Sequence, residues 1–341
     1  MCSTNFFENL EHYVGIDVSK ATLDCWLRPA GQWMQCPNTA RGFAELDQWL
    51  RDHRVTRQDA VICLENTGIY DDRLLAALSE LGWRCSVEKT TVLDKVTFEH
   101  HRKEDDYDAT HLAEYADRFA DKLSGWTPPD DRLELLRQLY GERRRLVDQQ
   151  AAVQTKQTQS AQLAITSEVV EQSWNQQYEL YAQQIAAIEA RMQALVAEHA
   201  GLDHYYRLLT GIPGIGQVTA WLWLILFYGE QSLNPKKIAS RFGVAPHSYT
   251  SGSSVRGRTR SSGHGASQMR KCMALAARSA STHYSKFRTY KQRKLDEGKP
   301  WPLVRNNLIN KLIKIISAIW NSGTSYDPDH TSRFDRQKNA A

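Results

Sequence analysis

The sequence has few of the features that mark a membrane, secreted or metal-stapled protein. No apolar run is long enough to span a bilayer. The opening MCSTNFFENLEHYVGIDVSK has neither the basic start nor the apolar stretch of a secretory signal. The six cysteines stand at 2, 25, 36, 63, 85 and 272 with no C-x-x-C spacing, which argues against a zinc site or a disulfide frame. A reducing cytosol is the expected setting, with no membrane partner.

The most informative absence is local. From Lys236 to Lys294 there are fourteen Lys or Arg and no Asp or Glu, although the whole chain carries a net charge of only +4. The remainder is therefore net acidic. Surface charges of both signs normally intermingle, so a long stretch without acid predicts a surface for a polyanion rather than an ordinary solvated face.

What is present is ordinary in bulk, with 341 residues, 41% of them hydrophobic and 24% charged. That length suggests two or three units, each with its own core. Residues 13–36 read as three strands, YVGIDVS, ATLDCWLR and GQWMQC, followed by a helix over ARGFAELDQWLRDH. DAVICLE is a buried parallel strand, NTGIYDDRLLAALSELG a turn and helix, WRCSVE a strand and KEDDYDATHLAEYADRFA a helix. This order predicts a mixed α/β sheet domain over 1–125. GWTPPDD breaks the pattern. In the arm expected over 126–200, residues 132–200 have almost no Gly or Pro, and Tyr181, Ile185, Ile188, Met192, Leu195 and His199 repeat at coiled-coil spacing, with Leu133, Leu136, Tyr140 and Val147 following less completely. Two long antiparallel helices joined near 160–175 satisfy this, as an oligomerisation arm or an ordinary helical packing face. Residues 201–330 read as a basic helical domain, including one long helix from SQMRK to KQRK, and 331–341 as a disordered tail.

Three groups of residues carry chemistry. Asp17 and Glu65 lie at strand ends, and Asp105 and Asp108 share one helix face at i,i+3. Carboxylates meeting this way repel unless a cation sits among them, and hard divalent ions take such oxygen ligands. Singly, each acid also reads as a helix-start or turn residue, with Glu104, Asp106, Asp71 and Asp72 as rivals. GIPGIGQVTA, with Gly214 and Gly216, resembles the turn of a helix-hairpin-helix, whose amides approach a DNA phosphate, but equally a plain helix link. VAPHSYTSGSSVRGRTR is either a linker or a loop presenting a hydroxyl to phosphate beside Arg256, Arg258 and Arg260, with Arg270 and Lys271 downstream and Lys236 and Lys237 upstream.

Taken together, GIDVSK with Asp17, LENTG with Glu65, and K-x-D-x-x-D-A from Lys103 to Ala109 resemble the DEDD transposases of the insertion-sequence groups "one-ten" and "eleven-eleven", relatives of the Piv pilin-gene invertases. IPGIGQVTA, FGVAP, SG before basic residues, MRKCMALAA and NKLIKIISAIWNSGTSYDP extend the resemblance over essentially the whole chain, in order. The resemblance implies a RuvC-like, RNase H-type domain, a coiled-coil arm and a helical transposase domain. It implies Mg²⁺ at Asp17, Glu65, Asp105 and Asp108, and Ser251 as a nucleophile that forms a transient phosphoserine link to donor and target DNA. It also implies a homo-oligomer, dimer to tetramer, in which acids and serine come from different protomers, and a noncoding bridge RNA as guide. The setting it implies is the bacterial cytosol, in association with the nucleoid. The sequence departs from the family pattern at Glu104 and His264, and Ser253 and Ser254 rival Ser251. A RuvC-like nuclease using water, or a non-catalytic DNA- or RNA-binding protein, are the other readings of the same residues.

Overall fold

The structure, a computed structural model, describes residues 9–66, 68–93, 107–247, 250–251, 255–256, 260–261, 265 and 267–330. The chain divides into two compact units, Met1–Pro129 and Asp130–Ala341.

The first unit is a five-stranded mixed sheet in the order β3-β2-β1-β4-β5. β1 (His12–Val18), β2 (Thr22–Arg28) and β3 (Gln32–Pro37) form an antiparallel meander, and β4 (Ala60–Glu65) and β5 (Cys85–Glu88) add in parallel. Helices α1 (Ala40–Asp52) and α2 (Asp72–Glu80) occupy the crossovers, followed by the short α3 (Thr90–Leu93) and by α4 (Tyr107–Arg118). Alternation along the strands sorts the side chains onto two faces. Val14, Ile16, Val18, Leu23, Cys25, Leu27, Ile62 and Leu64 point to one, where they bury against Phe43, Leu46 and Leu50 of α1 and Leu74 and Leu78 of α2. Val61 and Cys63 point to the other and pack under Leu112, Tyr115 and Ala116 of α4. Asp17, Glu65 and Glu88 belong by alternation to this second face.

The second unit is helical. α5 (Asp131–Ser160) and α6 (Glu168–Ala197) are each 30 residues long. Arg143 pairs with Glu189 (2.6 Å), Gln150 donates to the Tyr178 carbonyl (3.3 Å) and Gln157 to Asn175 (2.7 Å). Partner numbers fall as the first rises, so the helices run antiparallel, as their spacing predicts. Leu136, Tyr140, Met192 and Leu195 are buried, and Leu146 rather than the expected Val147 takes the inner position of its turn. α7 (Ala200–Thr210) leads to α8 (Gln217–Phe227), whose sequence QVTAWLWLILF is apolar all round and buries Trp221 and Trp223 completely. α9 (Pro235–Arg241) follows. Four two-residue strands come next: β6 (Pro246–His247), β7 (Thr250–Ser251), β8 (Val255–Arg256) and β9 (Arg260–Ser261). α10 (Ser267–His283), α11 (Ser285–Asp296) and α12 (Trp301–Ser322) complete the unit. Its one large core takes Leu136 and Met192 from the arm together with α7, α8, α10 and α12.

The long basic helix expected from SQMRK to KQRK is two helices. Tyr284 adopts an extended conformation (φ −114°, ψ 126°) between α10 and α11. The cause is local: the Ser281 and Thr282 hydroxyls donate back to the Arg278 carbonyl (3.0 and 2.9 Å), and the Arg288 guanidinium takes the Thr282 carbonyl (2.7 Å). The α10 ladder ends with the Tyr284 amide donating to the Ala280 carbonyl (3.0 Å), and at the Thr282 carbonyl the Arg288 guanidinium stands in for a backbone donor. Among the described residues no helix is long and apolar enough to cross a membrane.

Candidate active site and nucleic-acid interface

A tight turn sets the register on which the acidic residues depend. Between β1 and β2 the Ser19 amide donates to the Thr22 carbonyl (2.9 Å), and the Ser19 hydroxyl oxygen accepts from the Thr22 amide (2.9 Å). That closes the hairpin with Asp17 directly opposite Asp24. On its other side β1 pairs with β4 up to Ile16 opposite Leu64, so the next position on each strand brings Asp17 and Glu65 abreast. Glu65 in turn lies opposite Glu88. Residues in register on neighbouring strands share a face. A row of four carboxylates, Asp24–Asp17–Glu65–Glu88, therefore crosses four adjacent strands near one end of the sheet.

α4 covers the same face and brings a fifth acid. A Cβ on Gly15 would stand 1.9 Å from the Ala109 carbonyl oxygen and 2.5 Å from the Ala113 amide nitrogen, so only glycine lets the helix backbone lie this close to β1. Asp108, in the first turn of α4, is delivered beside Asp17 by that contact. Burial raises the Asp17 carboxyl above its ordinary value, and the charges of Asp108, Asp24 and Glu65 act in the same direction, against a backbone hydrogen bond from Val18. Asp24 is 6% exposed and accepts from Gln35 Nε2 (3.0 Å). Glu88 accepts from the Ser86 hydroxyl (2.8 Å).

Three of the four expected ligands, Asp17, Glu65 and Asp108, are thus brought together within one unit. Asp105 lies outside the described residues, as do Lys103, Glu104 and Asp106. Asp71 and Asp72 instead open α2. Among the described residues no group of three or more Asp, Glu, His or Cys is assembled as a ready metal site. The charges of Asp108, Asp24 and Glu65 beside Asp17 are nonetheless what a divalent cation offsets, and an all-oxygen donor set suits a hard ion. Asp24 and Glu88 were not singled out from the sequence. For Asp24 a signal existed: a three-residue loop between period-2 strands forces positions 17 and 24 together. For Glu88 there was none, because parallel register across a helical crossover is not set locally.

In the second unit, β6 pairs antiparallel with β9 and β7 with β8, with Ser251 opposite Val255 and Thr250 opposite Arg256. Ser251 is thus carried by the inner of two short antiparallel rungs. Gly252, Ser253, Ser254, Arg258 and His264 lie outside the described residues, and Arg256 and Arg260 are described as strand positions only. Lys236 and Lys237 are exposed at the start of α9, where Asn234 accepts from both of their amides (2.9 and 3.4 Å). Lys271 is exposed on α10. Arg270 instead donates through Nη1 to two backbone carbonyls, of Phe242 (3.3 Å) and Gly265 (3.2 Å). In the turn between α7 and α8, Gly214 has φ +84° and a Cβ there would lie 2.3 Å from the Ala276 carbonyl of α10, so its glycine is required by packing. Gly216 is exposed, with open space around it.

A mixed sheet with a row of carboxylates on one face, consistent with an RNase H-type domain, followed by a basic helical unit, is the architecture of a DNA transposase or recombinase of the DEDD class. Comparison with known proteins agrees. The DEDD transposase profile of the IS110 group matches residues 14–166, and that of the "Transposase IS116/IS110/IS902 family" matches residues 206–292. The chain belongs to the IS110 family of transposases. Pilin gene-inverting proteins of Moraxella bovis and Moraxella lacunata are each 24% identical to it over 331 residues, covering 92% of this chain and 97% of theirs. Transposases of the DEDD type generally use divalent metal ions.

Proposed function

We propose that this transposase cuts and rejoins DNA at specific sites through a covalent serine intermediate, with Mg²⁺ held by Asp17, Glu65, Asp108 and Asp105. The observation that supports it most directly is the in-register acidic row, in which burial and the charges of Asp108, Asp24 and Glu65 raise the Asp17 carboxyl. Bound Mg²⁺ would supply charge neutralisation at the scissile phosphate and assist loss of the serine proton. In the protein's part of the chemistry, Ser251 Oγ forms a bond to phosphorus as one P–O bond to deoxyribose breaks. The proton leaves Oγ, and the departing deoxyribose oxygen ends as a hydroxyl. The phosphoester keeps the energy of the broken bond, so attack by a second DNA hydroxyl reseals the strand and frees the serine. Lys236, Lys237, Arg256, Arg258, Arg260 and Lys271, with the amides near Gly214 and Gly216, hold the nucleic-acid backbone. The partners are donor and target DNA and a noncoding bridge RNA that supplies sequence recognition. The α5–α6 arm, with helix–helix packing of the coiled-coil kind, joins copies into a dimer or tetramer. The relatives' name specifies inversion, and the same strand exchange serves insertion when the two sites lie on different molecules.

The test uses a plasmid carrying this gene with its native flanking DNA. Purified protein is washed in SDS and the retained DNA sequenced. Wild type retains DNA, whereas Ser251→Ala and the pair Asp17→Asn with Glu65→Gln retain none. Strand cleavage that survives Ser251→Ala would instead mean that water is the nucleophile. Sequencing the RNA that copurifies without SDS tests the guide: one discrete noncoding species from beside the gene is expected, and a random cellular mixture would end that part of the reading.

A further inference from the structure

The segment that carries Ser251 leaves and re-enters the helical unit at a root tied by three side chains. At the entry, the Val244 carbonyl accepts from two asparagines of α12, Asn306 Nδ2 (3.1 Å) and Asn310 Nδ2 (3.1 Å), and Asn310 also donates to the Asn306 carbonyl (2.9 Å). The amides of Val244 and Ala245 both donate to the Ala239 carbonyl (2.9 and 3.0 Å), so the direction of the chain as it leaves α9 is fixed from both sides. At the exit, Arg270 of α10 joins the Gly265 carbonyl to the Phe242 carbonyl through a single nitrogen. The two ends are in direct contact, since a Cβ on Gly265 would stand 2.2 Å from the Arg241 carbonyl oxygen. Beyond this root the β6–β9 rung continues the pairing toward Ser251.

Two features point to positioning rather than simple stability. A carbonyl that accepts two side-chain donors has both lone pairs occupied and is held in direction, not merely satisfied. Arg270 sits in the stretch that has no acidic residues, yet its Nη1 is turned onto two backbone carbonyls, of Phe242 and Gly265. We infer that Asn306, Asn310 and Arg270 are positioning residues for the serine: they anchor the base of its hairpin to α10 and α12, so that Ser251 is presented at a fixed place. The inference rests on Ser251 being the nucleophile, and the experiment separates the two.

The variants are Arg270→Lys, which keeps the charge but loses the length and planar geometry of the guanidinium, and Asn306→Ala with Asn310→Ala, which changes no charge. The probes are the plasmid with the native flanks, read as SDS-resistant DNA, and a fluorescent duplex of arbitrary sequence, read as affinity against salt. A misplacement on the order of 1 Å costs a reacting pair ~10²-fold, so covalent DNA falls at least about tenfold in both variants. Duplex affinity and its salt slope stay at the wild-type value, as does the melting temperature. Hydrogen exchange quickens over 245–264 and is unchanged in α8. Duplex affinity falling in step with covalent DNA in Arg270→Lys would make that residue a phosphate ligand and overturn the inference, as would wild-type covalent yield in both variants while Ser251→Ala gives none. Covalent DNA persisting in Ser251→Ala would remove the nucleophile itself, and the positioning role with it.

Discussion

Asp17 is the residue on which the acidic site turns. Its carboxyl is raised by burial and by three neighbouring acids, so without a cation folding penalises its charged form relative to the unfolded chain. For an acid raised on folding, the stabilising contribution is complete below the unfolded pKa and is lost as pH rises through the folded one. The contribution of Asp17 to the stability of the metal-free wild type is therefore lost as pH climbs out of the carboxylate range, and Asp17→Asn lacks that loss. At neutral pH the metal-free variant is expected to melt above wild type. Under the proposed metal site, adding Mg²⁺ is expected to reverse the order, because an ion at a hundredfold excess over Kd stabilises the protein that binds it by about 2.7 kcal/mol. A scanning-calorimetry series at several pH values, with and without Mg²⁺, reads both effects. An Asp17→Asn protein that melts with wild type at every pH would mean that neither burial nor the neighbouring acids raise the Asp17 carboxyl. Asp24→Asn removes one neighbour, so the Asp17 carboxyl moves down toward its ordinary value, visible as a lower midpoint in a carbon-NMR titration of the metal-free protein.

At the scale of elements, the contact of α4 with β1 depends on a single missing methyl group. In Gly15→Ala the new Cβ meets helix backbone, which cannot swing aside as a side chain can. Overpacking of this kind costs about 1–3 kcal/mol or more, and relief comes from lifting α4, which carries Asp108 away from Asp17. Urea unfolding of Gly15→Ala should therefore show a lower midpoint with unchanged slope, together with weaker Mg²⁺ stabilisation. A variant as stable as wild type would show that α4 does not rest where Gly15 places it. Elements of this kind were legible in different degrees. Alternation in YVGIDVS and ATLDCWLR gave the hairpin, and a run such as DAVICLE gave the buried parallel strand, because these signals are local. The break at Tyr284 was not legible. No Gly or Pro marks it, and it depends on Ser281, Thr282 and Arg288 bonding to backbone in three dimensions. The acids Asp17, Glu65 and Asp108 could be named from the sequence, but their company could not, since Glu88 arrives through parallel register and Asp24 through a turn whose closure depends on Ser19.

For the whole molecule, the division of charge follows the division of structure. The stretch from Lys236 to Lys294 without acid lies entirely in the second unit, while the row from Asp24 to Glu88 lies in the first. Each unit has a core of its own: Ile16, Leu46 and Leu64 belong to one, and Trp221, Trp223 and Leu312 to the other. Elements that bury their apolar faces within their own unit fold without their neighbour, so the chain should separate at the Pro129–Asp130 boundary into two soluble pieces of different chemistry. Residues 130–341 alone are expected to bind duplex DNA with an affinity set by phosphate contacts. Each contact releases counterions and contributes ~0.9 to the slope of log K against log salt. If roughly six of the fourteen cations reach phosphates, affinity falls on the order of a thousandfold between 50 and 200 mM salt. Replacing Lys236 and Lys237 with Gln should lower that slope by ~2 while the midpoint of unfolding stays put, because both side chains are exposed and the N-cap at Asn234 uses only their amides. Residues 1–129 alone should bind duplex weakly, with little dependence on salt, and should still show Mg²⁺-dependent stabilisation. A fluorescence-anisotropy titration of the two pieces at stepped salt decides it: equal salt slopes in both would mean that the basic stretch is a solvated surface, and that the polyanion is held elsewhere.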